Sequence, residues 1–66
     1  MKITLNGETR ELEGPLSIAE LTTRLTLDPR KVAVERNLEI VPKSAFGDTM
    51  LADGDRLEIV HFVGGG

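Results

Sequence analysis

The stretch Arg56-Leu57-Glu58-Ile59-Val60-His61-Phe62-Val63-Gly64-Gly65-Gly66 decides the fold. From Arg56 to Phe62 it reads as a strand, the most apolar one in the chain. Alternation puts Leu57 and Ile59 on one face and Glu58, Val60 and Phe62 on the other. Glycine lacks a Cβ, so the run Gly64 to Gly66 is thin enough to enter a narrow site that any side chain would block. A terminal glycine also presents an unhindered carboxylate. Taken alone, the run fits a reactive end, a frayed end or an expression scar.

Working outward, Ala52-Asp53-Gly54-Asp55 is a tight turn leading into this strand. At the other end of the chain, Ile3 and Leu5 alternate with Lys2, Thr4 and Asn6, which gives a first strand with one apolar face. Asn6-Gly7 is a hairpin signal because both residues tolerate positive φ, and Thr9 to Leu12 reads as the returning strand until Gly14-Pro15 breaks it. Ser17 and Glu20 have the spacing of a capping box. Ile18, Leu21 and Leu25 then share one helical face, and Leu16 is placed to staple against Leu21. Asp28-Pro29 is expected to end this helix of about two turns. Val32 to Arg36 reads as a third strand, Asn37-Leu38-Glu39 as a turn and Ile40-Val41 as a short strand stopped by Pro42. Ser44 to Gly47 is irregular or one helical turn, with Phe46 as an anchor.

Two apolar terminal strands, separated by a hairpin and a capped helix, can lie side by side in parallel, with the helix as their crossover. The expected fold is therefore α+β, a β-grasp. It has a mixed sheet of four to five strands and one main helix packed on one face. Residues 1–63 form the domain and residues 64–66 a glycine tail expected to be poorly ordered in the free protein.

Composition narrows the function. Sixty-six residues make one small domain, and the absence of cysteine excludes disulfides, thiolate metal sites and an internal thiol nucleophile. The single histidine, His61, cannot build a metal cluster alone. The net charge of −3 and only two aromatics, Phe46 and Phe62, argue against a nucleic-acid partner. No apolar run is long enough to span a membrane, the N-terminus has no signal-peptide pattern, and a small domain without disulfides is expected in the cytoplasm. No Gly-x-x-x-x-Gly-Lys-Ser/Thr loop is present to hold phosphates.

The segments Met1-Lys2-Ile3-Thr4-Leu5-Asn6-Gly7, Ser17-Ile18-Ala19-Glu20-Leu21, Val32-Ala33-Val34-Glu35-Arg36-Asn37, Ile40-Val41-Pro42 and Ala52-Asp53-Gly54-Asp55 precede a last strand that closes in Gly-Gly. In this order and spacing, over nearly the whole chain, the sequence resembles the ThiS family, the bacterial sulfur carriers of thiamine biosynthesis. It departs from the family where Asn37-Leu38 stands in place of a frequent Asn-Gly turn, and in having a third terminal glycine.

The resemblance implies a protein cosubstrate rather than an enzyme. A ThiF-like enzyme would adenylate the carboxylate of Gly66, using ATP and Mg bound to itself, with no cofactor on this chain. A persulfide protein would then supply sulfur to give a thiocarboxylate, and a thiazole synthase would consume it. Gly64 and Gly65 would thread the tail into the partner's site. Val60, Phe62 and Val63 are expected to form an apolar partner-binding patch beside it. Two further carrier or conjugation readings stay open: the small subunit of molybdopterin synthase, and a protein modifier attached through Gly66. A β-grasp interaction module with a passive tail also remains, because fold alone does not separate these functions. His61, the Asp53/Asp55 pair, Glu11 with Glu13 and Glu35 with Glu39 are read as structural or solvated, since none has the partners that catalysis or calcium binding requires.

Overall fold

The computed structural model of the chain describes residues 1–62. The strands are β1 (Lys2–Leu5), β2 (Glu8–Glu11), β3 (Val32–Arg36), β4 (Glu39–Val41) and β5 (Arg56–His61), and the helix α1 is Ile18–Arg24. They form one mixed five-stranded sheet in the order β2-β1-β5-β3-β4. β1 and β5 are parallel, with Leu5 level with Leu57, while β1–β2, β3–β4 and β3–β5 are antiparallel. The expected β-grasp arrangement is therefore present, with the most apolar strand at the centre.

Register explains which residues meet. Ile3, Leu5, Val32, Val34, Leu57 and Ile59 all point to the same side of the sheet, where they are buried with Leu16, Ile18 and Leu21 of the helix region. Phe46 and Leu51 close this core from the long connection, and Phe46 serves as the anchor expected of it. Burying one such aliphatic side chain contributes about 1.5–3 kcal/mol, so a helix of two turns that would not persist alone is held by the sheet beneath it.

Local chemistry sets the ends of α1. The Ser17 hydroxyl accepts from the Glu20 backbone N–H at 3.1 Å, and the Ser17 backbone N–H donates to Glu20 Oε1 at 2.9 Å. The capping box is thus complete. The backbone bond from Ser17, with its hydroxyl bond second, holds the Glu20 carboxyl below its ordinary range. The C-terminus differs from the expectation. The helix stops at Arg24 rather than at Asp28-Pro29, because Thr26 turns left-handed (φ 60°). Thr26 N–H then bonds to Thr23 O and Leu27 N–H to Thr22 O, which satisfies the last carbonyls. Asp28 caps a separate 3₁₀ turn, Pro29–Lys31. Its hydrogen bonds from Arg30, side chain first and backbone second, bring the carboxyl down to about 2. Two smaller differences concern the strands. β2 begins at Glu8 and is exposed throughout, and β5 ends at His61, one residue before Phe62.

The β1–β2 turn has Asn6 and Gly7 at φ 49° and 83°. The β3–β4 turn has Asn37 and Leu38 at φ 52° and 73°. An L-residue in this region costs about 1–2 kcal/mol. Leu38 is 79% exposed, so replacing it would sacrifice almost no packing. After allowing for the greater backbone entropy of glycine, Leu38→Gly is expected to stabilise the domain by about 0.5–1 kcal/mol. This would be measured as a rise in the urea midpoint without a change in slope.

Candidate functional site

The candidate site lies on the side of the sheet away from α1, at the end where β5 runs in sequence into the glycines. Arg56, Glu58 and Val60 of β5 face this side, with Ala33 and Glu35 of β3 and Ile40 of β4 as their register neighbours. Val60 is 59% exposed and Phe62 47% exposed, as their alternation with Leu57 and Ile59 requires. Ile40, also exposed, extends the apolar surface across β3. Glu35 stands directly opposite Glu58, and among the described residues neither carboxylate is in an ion pair. The face therefore combines an apolar margin with a negative centre. Val63, Gly64, Gly65 and Gly66 lie outside the described residues.

Phe62 is fixed at two points. Its backbone N–H donates to Lys31 O at 2.7 Å, which continues the β3–β5 pairing beyond the named strand. The Lys43 ammonium lies 5.8 Å from its ring centroid, within the range of cation–π attraction. Nothing in the local sequence marks this contact, because the two residues meet only through strand register. His61, on the opposite alternation, is exposed.

A polar hub at the other end of β5 holds that strand in place. Asp55 is 5% exposed. Its carboxylate accepts from Arg36 Nε at 2.8 Å, Arg36 Nη2 at 3.4 Å, Asn37 Nδ2 at 3.1 Å and Ala52 N at 2.8 Å. Burial pushes the carboxyl up, but the bonds from Arg36, Ala52 and Asn37 outweigh burial and leave it below its ordinary value. Asp53 turns elsewhere and accepts from Lys2 N at 2.6 Å. The two aspartates thus close a turn and do not converge on a cation. Asn6 ties β1 to β5 farther along: its side-chain amide accepts from Ile59 N at 2.8 Å and donates to Ile59 O at 3.2 Å. Asp55, Arg36 and Asn6 position β5, and the sequence shows them only as turn or scattered polar residues.

Comparison with known proteins agrees with this geometry. The model of the ThiS family matches residues 3–66. The sulfur carrier protein ThiS of Bacillus subtilis is 46% identical over 50 residues, covering 76% of each chain. A crystal structure of the thiamine biosynthesis protein ThiS from Geobacter metallireducens superposes with a TM-score of 0.84 at 36% identity, over the whole of both chains. A protein named thiazole synthase from Paramagnetospirillum magneticum is 53% identical over 66 residues. The chain spans only 20% of the length of that protein, and likewise 20% of a second thiazole synthase, from Magnetococcus marinus.

Proposed function

The chain belongs to the ThiS family of β-grasp sulfur carriers, and we propose that it carries sulfur on the carboxylate of Gly66 for thiazole formation in thiamine biosynthesis. The main support is the family match through residue 66 in a chain whose central strand runs in sequence into the three glycines. The domain acts as a handle and cosubstrate, and the catalysts are its partners. A carboxylate is a poor electrophile because its charge is delocalised. A ThiF-like enzyme joins it to AMP from Mg-ATP, releasing pyrophosphate and leaving a mixed anhydride with a good leaving group. The terminal sulfur of a protein persulfide attacks the carbonyl carbon and AMP departs. A thiol then cleaves the resulting acyl disulfide, and in doing so forms a disulfide and frees the thiocarboxylate. Thiazole synthase accepts that sulfur. The two relatives named thiazole synthase, in which a domain like this one is part of the same longer chain, support this last partner.

With ATP and the persulfide provided by partners, the carrier needs no bound cofactor, and a cytoplasmic location suits it. Gly64 and Gly65 let the carboxylate reach a buried α-phosphate without steric hindrance. Val60, Phe62 and Val63 dock the domain. The intact mass of protein isolated from its native host tests the chemistry. Exchange of one oxygen for sulfur at Gly66 is the expected result. An isopeptide adduct would favour a protein modifier, and an unmodified end under thiamine starvation would favour a passive module.

The docking patch makes its own prediction. Phe62→Ala is expected to weaken binding to the activating enzyme by about 1–2 kcal/mol, the cost of truncating an aromatic anchor. The melting curve should change little, because Phe62 is half exposed and outside the core. Titration calorimetry with the purified partner would measure the loss. Unchanged affinity per folded molecule would remove Phe62 from the interface.

A further inference from the structure

Resting on the carrier reading, we propose that Lys43 is a positioning residue, which holds the Phe62 ring ready for docking of the activating enzyme. Strand register brings the two together. Val41 of β4 is level with Val34 of β3, so the chain beyond Val41 passes Pro42 and brings Lys43 to the end of β3 that begins at Val32. On the opposite side of β3, His61 is level with Val32 and Phe62 bonds to Lys31. Lys43 and Phe62 therefore flank the same strand end, with the ammonium 5.8 Å from the ring centroid.

The turn carrying Lys43 is itself anchored. Phe46 N–H donates to Lys43 O at 3.1 Å, Ala45 N–H donates to Pro42 O at 2.9 Å, and the Phe46 side chain is buried in the core. A continuous set of contacts thus runs from the core through the Lys43–Ala45 3₁₀ turn to the ring at the root of the tail. Among the described residues Lys43 enters no ion pair, so its charge is not committed elsewhere. The ring needs such a support. It projects from the end of β5 and is nearly half exposed. A cation over the ring face is attracted by the negative face of the π-system, and this favours one ring placement before the partner arrives. Pre-organisation lowers the ordering cost of association. It should act on apparent affinity for the carrier and leave the rate within the bound complex unchanged.

The test measures ATP–pyrophosphate exchange by the purified activating enzyme over a range of concentrations of the full chain. Lys43→Met keeps the apolar stem and removes the charge. It is expected to raise KM for the carrier about two- to fivefold with kcat unchanged, the size an exposed cation–π contact carries. Lys43→Arg should restore the wild-type KM, because guanidinium also stacks on aromatic faces. A double-mutant cycle with Phe62→Leu separates positioning from direct contact: in that background Lys43→Met should have no further effect. In parallel, proton NMR of the wild type should show the Lys43 ε-methylene resonances shifted upfield by the ring current, and the shift should vanish in Phe62→Leu. An undiminished Lys43→Met effect in the Phe62→Leu background would overturn the proposal, since Lys43 would then be touching the enzyme itself. Unchanged KM in Lys43→Met, or no ring-current shift, would overturn it too while leaving the carrier reading standing. No exchange with wild-type chain would overturn the carrier reading and, with it, the role of Lys43.

Discussion

Asp55→Ala is expected to lower stability by about 3 kcal/mol, the lower end of what removal of one partner from a buried ion pair costs. The low end applies because the Asp55 side chain is 6% exposed while that of Arg36 is 32% exposed and keeps part of its hydration. The loss extends beyond the pair. Asn37 Nδ2 and the Ala52 N–H also donate to this carboxylate, and both would lose their acceptor. These groups belong to the β3–β4 turn and to the entrance of β5, so a single side chain holds two segments that are distant in sequence. A domain of this length has about 3–10 kcal/mol of total stability, of which this is a large share. The thermal midpoint, followed by circular dichroism, should fall by roughly 10–25 °C. A fall of only a few degrees would show that the hub is dispensable.

The same carboxylate predicts a pH dependence of definite sign. Its pKa in the folded chain lies below the ordinary value of 3.8, because bonds to Arg36, Ala52 and Asn37 outweigh the opposing effect of burial. The unfolded chain therefore takes up a proton first as the pH falls. The contribution of Asp55 is fully present above the unfolded value and is lost as the pH drops through the folded one. Glu20 and Asp28 are shifted in the same direction, Asp28 down to about 2, so all three carboxylates contribute with the same sign. Melting curves of the wild type should move to lower temperature from about pH 4 downward, and those of Asp55→Asn should move less.

The features legible in the sequence were those governed by local pattern. Alternation in Ile3–Leu5 and Leu57–Ile59 set the buried face. The Ser17/Glu20 spacing set the start of the helix, and the pairing of apolar terminal strands set the parallel centre of the sheet. Features that depend on a residue acting out of type were not legible. Thr26 occupies a left-handed helix end where glycine is usual, so nothing in the sequence marked the stop before Asp28-Pro29. Asp55 belongs to an Asp-Gly-Asp turn by sequence and to a buried ion pair by structure. Lys43 and Phe62 meet only because β4 and β5 lie on either side of β3. On the functional side, alternation correctly placed Val60 and Phe62 on the open face, while the family relation rather than composition gave the chemistry proposed for the glycines.

Deletion of Gly66 is expected to reduce ATP–pyrophosphate exchange by the activating enzyme by about 10²-fold or more. If the carboxylate of Gly66 is the group that attacks the α-phosphate, removing one residue withdraws it by up to about 3.5 Å. A displacement of about 1 Å already costs that factor when reacting groups must align. The new terminal glycine would be chemically equivalent to the old one, so the loss would arise from reach rather than from intrinsic reactivity. Appending an alanine after Gly66 should be comparably harmful, since it moves the carboxylate forward and places a Cβ where only glycine is narrow enough to pass. Stability provides the control. Every member of the core lies between Ile3 and Ile59, and glycine has no side chain to bury, so the melting curves of both variants should superimpose on that of the wild type. Slow exchange with an unchanged melt would place the reactive group at the glycine terminus. Wild-type exchange from either variant would mean that the carboxylate of Gly66 is not the group activated, and the proposed carrier chemistry would lose its site.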